Sequence, residues 1–190
     1  MGKTNYIRFD WAIKRLLRQK ANFVILEGFL STVLREDIHI EKILDSESNK
    51  ENAADKFNRL GLLVENSTGE LLIIEVRNDR ELDYFHRVLY GISPAVTDYI
   101  SEGDVYDRVK KLYSINILYF ELGLGKDYVY HGHTEFRGIH ENDILWLSES
   151  ARKQFVCKKV GDIYPEHYIL RVENFNKVAT TQFDIYSTPS

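Results

Sequence analysis

Glu75 and Arg77 are the residues of this sequence whose types and spacing point most directly to chemistry. They end the stretch 59–77, in which two apolar runs flank the turn-forming residues 66–69. This pattern predicts a β-hairpin, and alternate side chains of a strand share one face. A carboxylate and a cation would then lie side by side. The carboxylate could bind a metal ion, or the two residues could form an ordinary ion pair at the end of a strand.

Several sequence patches carry a family resemblance. They are FDWAIKRLL from Phe9, ANFVILEGFLSTVL from Ala21, DKFNRLGLLVEN from Asp55 and LLIIEVR from Leu71. The stretch 83–118 continues the pattern with a long helix and a following strand. In this order and spacing, the patches resemble the PD-(D/E)XK family of transposase-like, recombination-promoting nucleases.

The resemblance implies a site and a reaction. Family members cleave DNA phosphodiesters with a metal-activated water, so Mg²⁺ or Mn²⁺ is the implied cofactor and DNA the implied partner. Glu75 matches the metal-binding carboxylate, and Arg77 takes the place of the usual glutamine. Gly61, fourteen residues before Glu75, takes the place of the usual aspartate. The alternative is a catalytically inactive member of the same fold that binds DNA or a protein.

Other carboxylates could replace the missing aspartate. Glu27 on the first predicted helix is the candidate second metal ligand, and Asp45 and Glu47 near the first strand are further possibilities. Each could equally be a surface acid. If Gly61 marks the vacant position, Gly61→Asp together with Arg77→Gln is expected to restore metal binding and cutting.

The implied fold class is α/β, a restriction-endonuclease-like core with a mixed central sheet flanked by helices in the order αβββαβ. Apolar spacing predicts a helix over 10–35, with Asp10 as its N-cap. Gly91 and Pro94 should bend or break a second helix over 79–103. Predicted strands are 38–44, 58–66, 71–77, 113–122, 128–136 and 168–175, with a mobile loop over 45–55 and a short helix or irregular segment over 144–154.

The domain prediction is a nuclease-like core over 1–125, with a C-terminal extension over 126–190 packed on it. Relatives continue into a helical region, so we expect this chain to be truncated. Its 190 residues are 44% hydrophobic and 13% aromatic, which is enough to bury a full core. The single cysteine, Cys157, excludes an internal disulfide. We expect a cytoplasmic protein, since no stretch has the pattern of a membrane span or a signal peptide.

The charge distribution suggests where nucleic acid could bind. The net charge is −4, which does not favour phosphate contacts by itself. Basic residues nevertheless cluster near the N-terminus and again at Arg108, Lys110 and Lys111. Either cluster could be a solvated helix face instead. The candidate nucleic-acid-binding residues are Lys14, Arg15, Arg18 and Lys56.

One further group could bind metal. His131, His133 and Glu135 alternate along the chain, so in a strand they would share a face and could bind Zn²⁺. The same spacing is common by chance in loops.

Overall fold

The computed structural model describes residues 22–44, 61–98, 106, 109–155, 157 and 159–172. Three helices, six strands and one 3₁₀ turn are assigned within these ranges. In chain order they are α1 (Phe23–Leu34), β1 (Ile40–Ile43), β2 (Leu62–Asn66), β3 (Leu71–Arg77), α2 (Tyr84–Thr97), β4 (Leu112–Leu118), β5 (Val129–Gly132), α3 (Glu149–Phe155), the 3₁₀ turn Val160–Ile163 and β6 (Glu166–Arg171).

The six strands form one mixed sheet in the spatial order β1-β2-β3-β4-β6-β5. The pairs β1–β2, β2–β3 and β5–β6 are antiparallel, whereas β3–β4 and β4–β6 are parallel. Helix α2 connects the parallel strands β3 and β4, because such strands need a crossover connection. The predicted α/β fold with a mixed sheet and the core order αβββαβ is confirmed.

A tight turn sets the β2–β3 hairpin. Gly69 adopts φ +82°, a conformation open to glycine because it has no Cβ atom. Its N–H donates to the carbonyl of Asn66 at 2.9 Å. The side-chain oxygen of Asn66 accepts the backbone N–H of Glu70 at 2.8 Å, so the turn is hydrogen-bonded from both sides. The hairpin is the arrangement predicted from the turn residues.

Strand β3 is covered on both faces, which explains why its sequence is almost continuously apolar. Leu72 and Ile74 share a cluster with Leu26 and Leu30 of α1. The alternate residues Leu71 and Ile73 pack with Ile92 and Ala95 of α2 instead. The two helices therefore lie on opposite faces of the sheet. Glu75 and Arg77 continue the row that faces α2.

Several predicted boundaries differ from the observed ones. Helix α2 begins at Tyr84, not at 79, and contains both Gly91 and Pro94. Neither residue breaks the helix before Thr97. Proline removes one backbone hydrogen bond, but Ile92 and Ala95 remain packed on the sheet, and the Pro94 carbonyl still accepts the N–H of Asp98.

The other elements are close to their predicted ranges. The first helix is confirmed over its described part, and the first strand is confirmed with slightly shorter bounds. Strand β4 ends at Leu118 because the chain bends at the next two residues, and β5 ends at Gly132. The predicted Asp10 N-cap and the loop over 45–55 lie outside the described residues. No helix in the described ranges is both long and apolar enough to cross a membrane.

Candidate functional site

The site is built at the carboxyl end of β3. In open α/β sheets this edge of the parallel strands is the usual place for ligands. Glu75 is only 6% exposed, although its side chain is charged. Val76 between Glu75 and Arg77 points to the opposite face and is buried. The apolar run that precedes Glu75 anchors the strand in the core and so fixes where the carboxylate lies.

Two arginines approach the Glu75 carboxylate. Arg77 donates to Oε1 of Glu75 through both Nε and a terminal guanidinium nitrogen. A terminal nitrogen of Arg87, on α2, lies 3.7 Å from the same oxygen. Arg87 also donates to both carboxylate oxygens of Glu81, at 3.1 and 3.0 Å. The result is a row of alternating charges, Arg77–Glu75–Arg87–Glu81.

Gly61 lies beside Glu75. The β2–β3 register pairs Leu62 with Ile74, so the next pair outward is Gly61 with Glu75. A Cβ atom built on Gly61 would overlap the carbonyl oxygen of Ile74 and lie 2.9 Å from Cα of Glu75. Real Cβ atoms do not approach a backbone so closely. The observed strand spacing does not favour the expected rescue by Gly61→Asp, because even the first side-chain atom would have to push β2 away from β3.

A buried polar network borders Glu75 on the β4 side. Asn116 is the β4 partner of Glu75 in the strand register. Its side-chain oxygen accepts the hydroxyl of Tyr84 at 2.9 Å, and its side-chain nitrogen donates to the hydroxyl of Ser114 at 3.0 Å. Burial raises the pKa of Tyr84, and the nearby charge of Glu75 raises it further. Tyr84 therefore stays a neutral donor.

The sequence interpretation missed Arg87, Asn116 and Tyr84. Asn116 did carry a signal, because it interrupts the apolar run of β4 and a buried polar residue needs a partner. Tyr84 and Arg87 are three residues apart on α2 and hence on one helix face. Their approach to β3 depends on how α2 packs, which the spacing alone does not give.

Glu27 is not brought to this site. Its carboxylate accepts the backbone N–H of Ile40 at 2.7 Å and thereby ties α1 to β1. Ile40 pairs with Asn66, next to the hairpin turn, whereas Glu75 lies near the other end of β3. Helix α1 also covers the opposite face of the sheet. The prediction that Glu27 and Glu75 share a metal ion has no geometric support.

The donor set does not fit Mg²⁺ or Mn²⁺. These ions bind through carboxylates, carbonyls and water, but the Glu75 carboxylate is engaged by Arg77 and the Glu81 carboxylate by Arg87. Within the described ranges, no group of three or more His, Cys, Asp or Glu side chains could hold a metal ion. The predicted set of His131, His133 and Glu135 is therefore not assembled as three ligands. Glu135 instead pairs with Arg137 at 2.6 Å.

The predicted nucleic-acid contacts are only partly described. Lys14, Arg15, Arg18 and Lys56 lie outside the described residues. Two members of the second basic cluster are described, and both contact carboxylates. Lys110 pairs with Glu65 and Lys111 with Glu166, each at 2.7 Å.

Comparison with known proteins agrees with this architecture. A family model described as PD-(D/E)XK nuclease family transposase matches residues 7–146. The chain belongs to the PD-(D/E)XK nuclease family transposases. Neither a curated protein nor a solved structure gives a significant match. The matched segment contains Gly61, Glu75, Arg77 and Arg87.

Proposed function

We propose that this family member binds DNA through phosphate contacts at the Arg77–Glu75–Arg87 site and does not cut it with a bound metal ion. The observation that carries the proposal is the contact of Arg77 with the Glu75 carboxylate beside a Gly61 that has no room for a side chain. A family site that would hold a cation has instead become a site with two guanidinium groups around one carboxylate.

Guanidinium groups suit phosphate because their donors match two oxygens at once and keep their charge. The side chains of Arg77 and Arg87 are 15% and 24% exposed, so each is partly accessible to solvent. Glu75 positions the guanidinium group of Arg77, and Glu75 and Glu81 together position that of Arg87. Both carboxylates also compete with an incoming phosphate for these groups. A DNA phosphate would bind by taking over part of the contacts that Glu75 now makes.

This competition between Glu75 and a DNA phosphate can be tested by substitution. Glu75→Gln keeps the shape of the side chain but removes its charge, so we expect severalfold tighter binding of a fluorescent DNA duplex. Arg87→Ala should weaken binding and lower the slope of log affinity against log salt by about one. Anisotropy titrations at several salt concentrations measure both effects.

Arg137→Ala is the matched control, because that guanidinium also pairs with one glutamate but lies in a different part of the chain. If Arg77→Ala and Arg87→Ala both keep the wild-type DNA affinity and salt slope, the proposed binding site is wrong. If the wild type nicks plasmid DNA in Mg²⁺ or Mn²⁺ and Glu75→Gln does not, the proposal that this protein does not cut DNA is overturned.

Two further predictions complete the proposal. The core over 1–125 with an extension over 126–190 packed on it stays a proposal, and the pairing of β6 with the core strand β4 supports the packing of the extension on the core. We also propose a cytoplasmic location, because the single cysteine fits a reducing compartment.

A further inference from the structure

A second polar site lies where β5 meets β6, at the amino end of the parallel strands. A pocket of about 260 Å³ opens there, and both His131 and His133 line it. The imidazole of His131 contacts the carboxylate of Glu166, with Nε2 and Oε2 2.7 Å apart. We propose that His131 and His133 together bind a divalent transition-metal ion such as Zn²⁺ or Cu²⁺, with Glu166 orienting His131.

The ring geometry fits a shared ion. The centres of the two imidazoles are 5.2 Å apart and their planes are inclined by 38°. Two imidazoles bound to one tetrahedral ion have ring centres about 5 Å apart, because each ligating nitrogen lies about 2.0–2.1 Å from the metal. The separation of the two ring centres is therefore compatible with one ion bound between them.

Glu166 gives His131 the supporting contact that metal-binding histidines commonly have. A carboxylate that accepts the N–H of one ring nitrogen leaves the other nitrogen with a free lone pair for the metal. Lys111 holds the second oxygen of Glu166 at 2.7 Å. Tyr168 stacks on the His131 ring, with centres 4.4 Å apart and planes inclined by only 12°. The orientation of His131 is thus fixed from two sides.

The rest of the coordination shell would be water. Glu135 lines the pocket, but its carboxylate is paired with Arg137. A pocket of this volume has room for an ion and several water molecules, since each water takes about 30 Å³. With two protein ligands, the affinity should follow the usual order for imidazole sites, in which Cu²⁺ binds more tightly than Zn²⁺.

Calorimetric titration of the full chain with Zn²⁺, and separately with Cu²⁺, tests the site. We expect one ion per chain in the wild type and loss of that binding in His133→Ala. His133 is exposed, so this variant should fold normally. Glu166→Gln should weaken binding about tenfold while leaving both ligands in place. His140→Ala is the matched control, because His140 is exposed and in the same part of the chain but does not line the pocket.

Electron paramagnetic resonance of the Cu²⁺ complex gives an independent readout. Coupling to two imidazole nitrogens in the wild type, and no protein-bound Cu²⁺ signal with that coupling in His133→Ala, is the expected result. The proposal is overturned if the wild type binds neither ion. It is also overturned if His131→Ala and His133→Ala both bind as the wild type does, or if the spectrum shows no imidazole coupling.

Discussion

Glu75 and Glu166 are two glutamates at opposite ends of the same sheet, and each contacts two basic side chains. Glu75, near the end of β3, lies between Arg77 and Arg87. Glu166, at the start of β6, lies between Lys111 and His131. Arginine keeps its proton at any pH the protein meets, whereas an imidazole gains and loses its proton near neutral pH and can bind metal.

The comparison shows that the two glutamates have different surroundings. Glu75, which the family resemblance assigns to the nuclease site, is nearly buried with fixed positive charges around it, and the glycine beside it leaves no room for a second acid. The proposed cation ligands are instead His131 and His133, which lie within the segment that matches the family model, whereas Glu166, which contacts His131, lies beyond it. The charged neighbours of a carboxylate therefore decide its chemistry, and its position in the sheet does not.

The largest expected effect is a loss of unfolding free energy when the Glu75 side chain is removed. Glu75→Ala leaves two guanidinium groups without the carboxylate between them, and breaking a buried ion pair typically costs about 3 kcal/mol of unfolding free energy. Glu166→Ala should cost less, because that side chain is 19% exposed and water can partly replace it. Urea unfolding followed by circular dichroism measures both. An equal or greater loss in Glu166→Ala would contradict the distinction between the two sites.

Gly61 should be almost as sensitive. Gly61→Ala adds a Cβ atom that overlaps the Ile74 carbonyl, so we expect a loss of about 2 kcal/mol from forced displacement of β2. Gly28→Ala is the matched control, since a Cβ atom there meets nothing within 4 Å and helical alanine is favoured over glycine. The thermal unfolding midpoints compare the two.

Gly61→Asp with Arg77→Gln should therefore lose stability without gaining metal-dependent nicking. A stable double variant that nicks plasmid DNA in Mn²⁺ would show that β2 and β3 separate more easily than their spacing indicates.

The smallest expected effect is on how the stability of the fold falls at acid pH when Glu166 is replaced. Burial alone would raise the pKa of Glu166, but hydrogen bonds from Lys111 and His131 more than offset it and lower the pKa below 4.5. A lowered pKa means that this carboxylate stabilises the fold above pH 4.5 and that the contribution is lost as pH falls through the lowered value. Glu166→Gln should show a shallower acid decline in unfolding midpoints between pH 5 and 3. Parallel profiles for the variant and the wild type would contradict this.

Much of the fold could be predicted from local sequence. The apolar run of β3 indicates a strand covered on both faces, and the turn at Asn66 and Gly69 fixes the hairpin register. The period of two in a strand also places Glu75 and Arg77 on one face. The element boundaries were less accurate. Pro94 was expected to disturb α2, but tertiary packing of Ile92 and Ala95 holds the helix together.

The partners of the two glutamates could not be predicted in the same way. Arg87 reaches Glu75 only because α2 packs against that face of β3. His131 and Glu166 are far apart in sequence and meet because β5 pairs with β6 in a register that sets His131 against Tyr168. The lack of space at Gly61 likewise depends on how closely β2 approaches β3.

The sequence by itself determined the family, the order of the elements and the side of β3 on which Glu75 lies. These follow from motif order, apolar periodicity and turn chemistry, all of which act between residues close along the chain. Only the tertiary structure decided that Glu75 is held by two arginines, that Gly61 has no room for an acid, and that His131 and His133 share a pocket with Glu166. Those features depend on strand register and helix packing, because contacts between distant segments form only when the whole sheet is assembled.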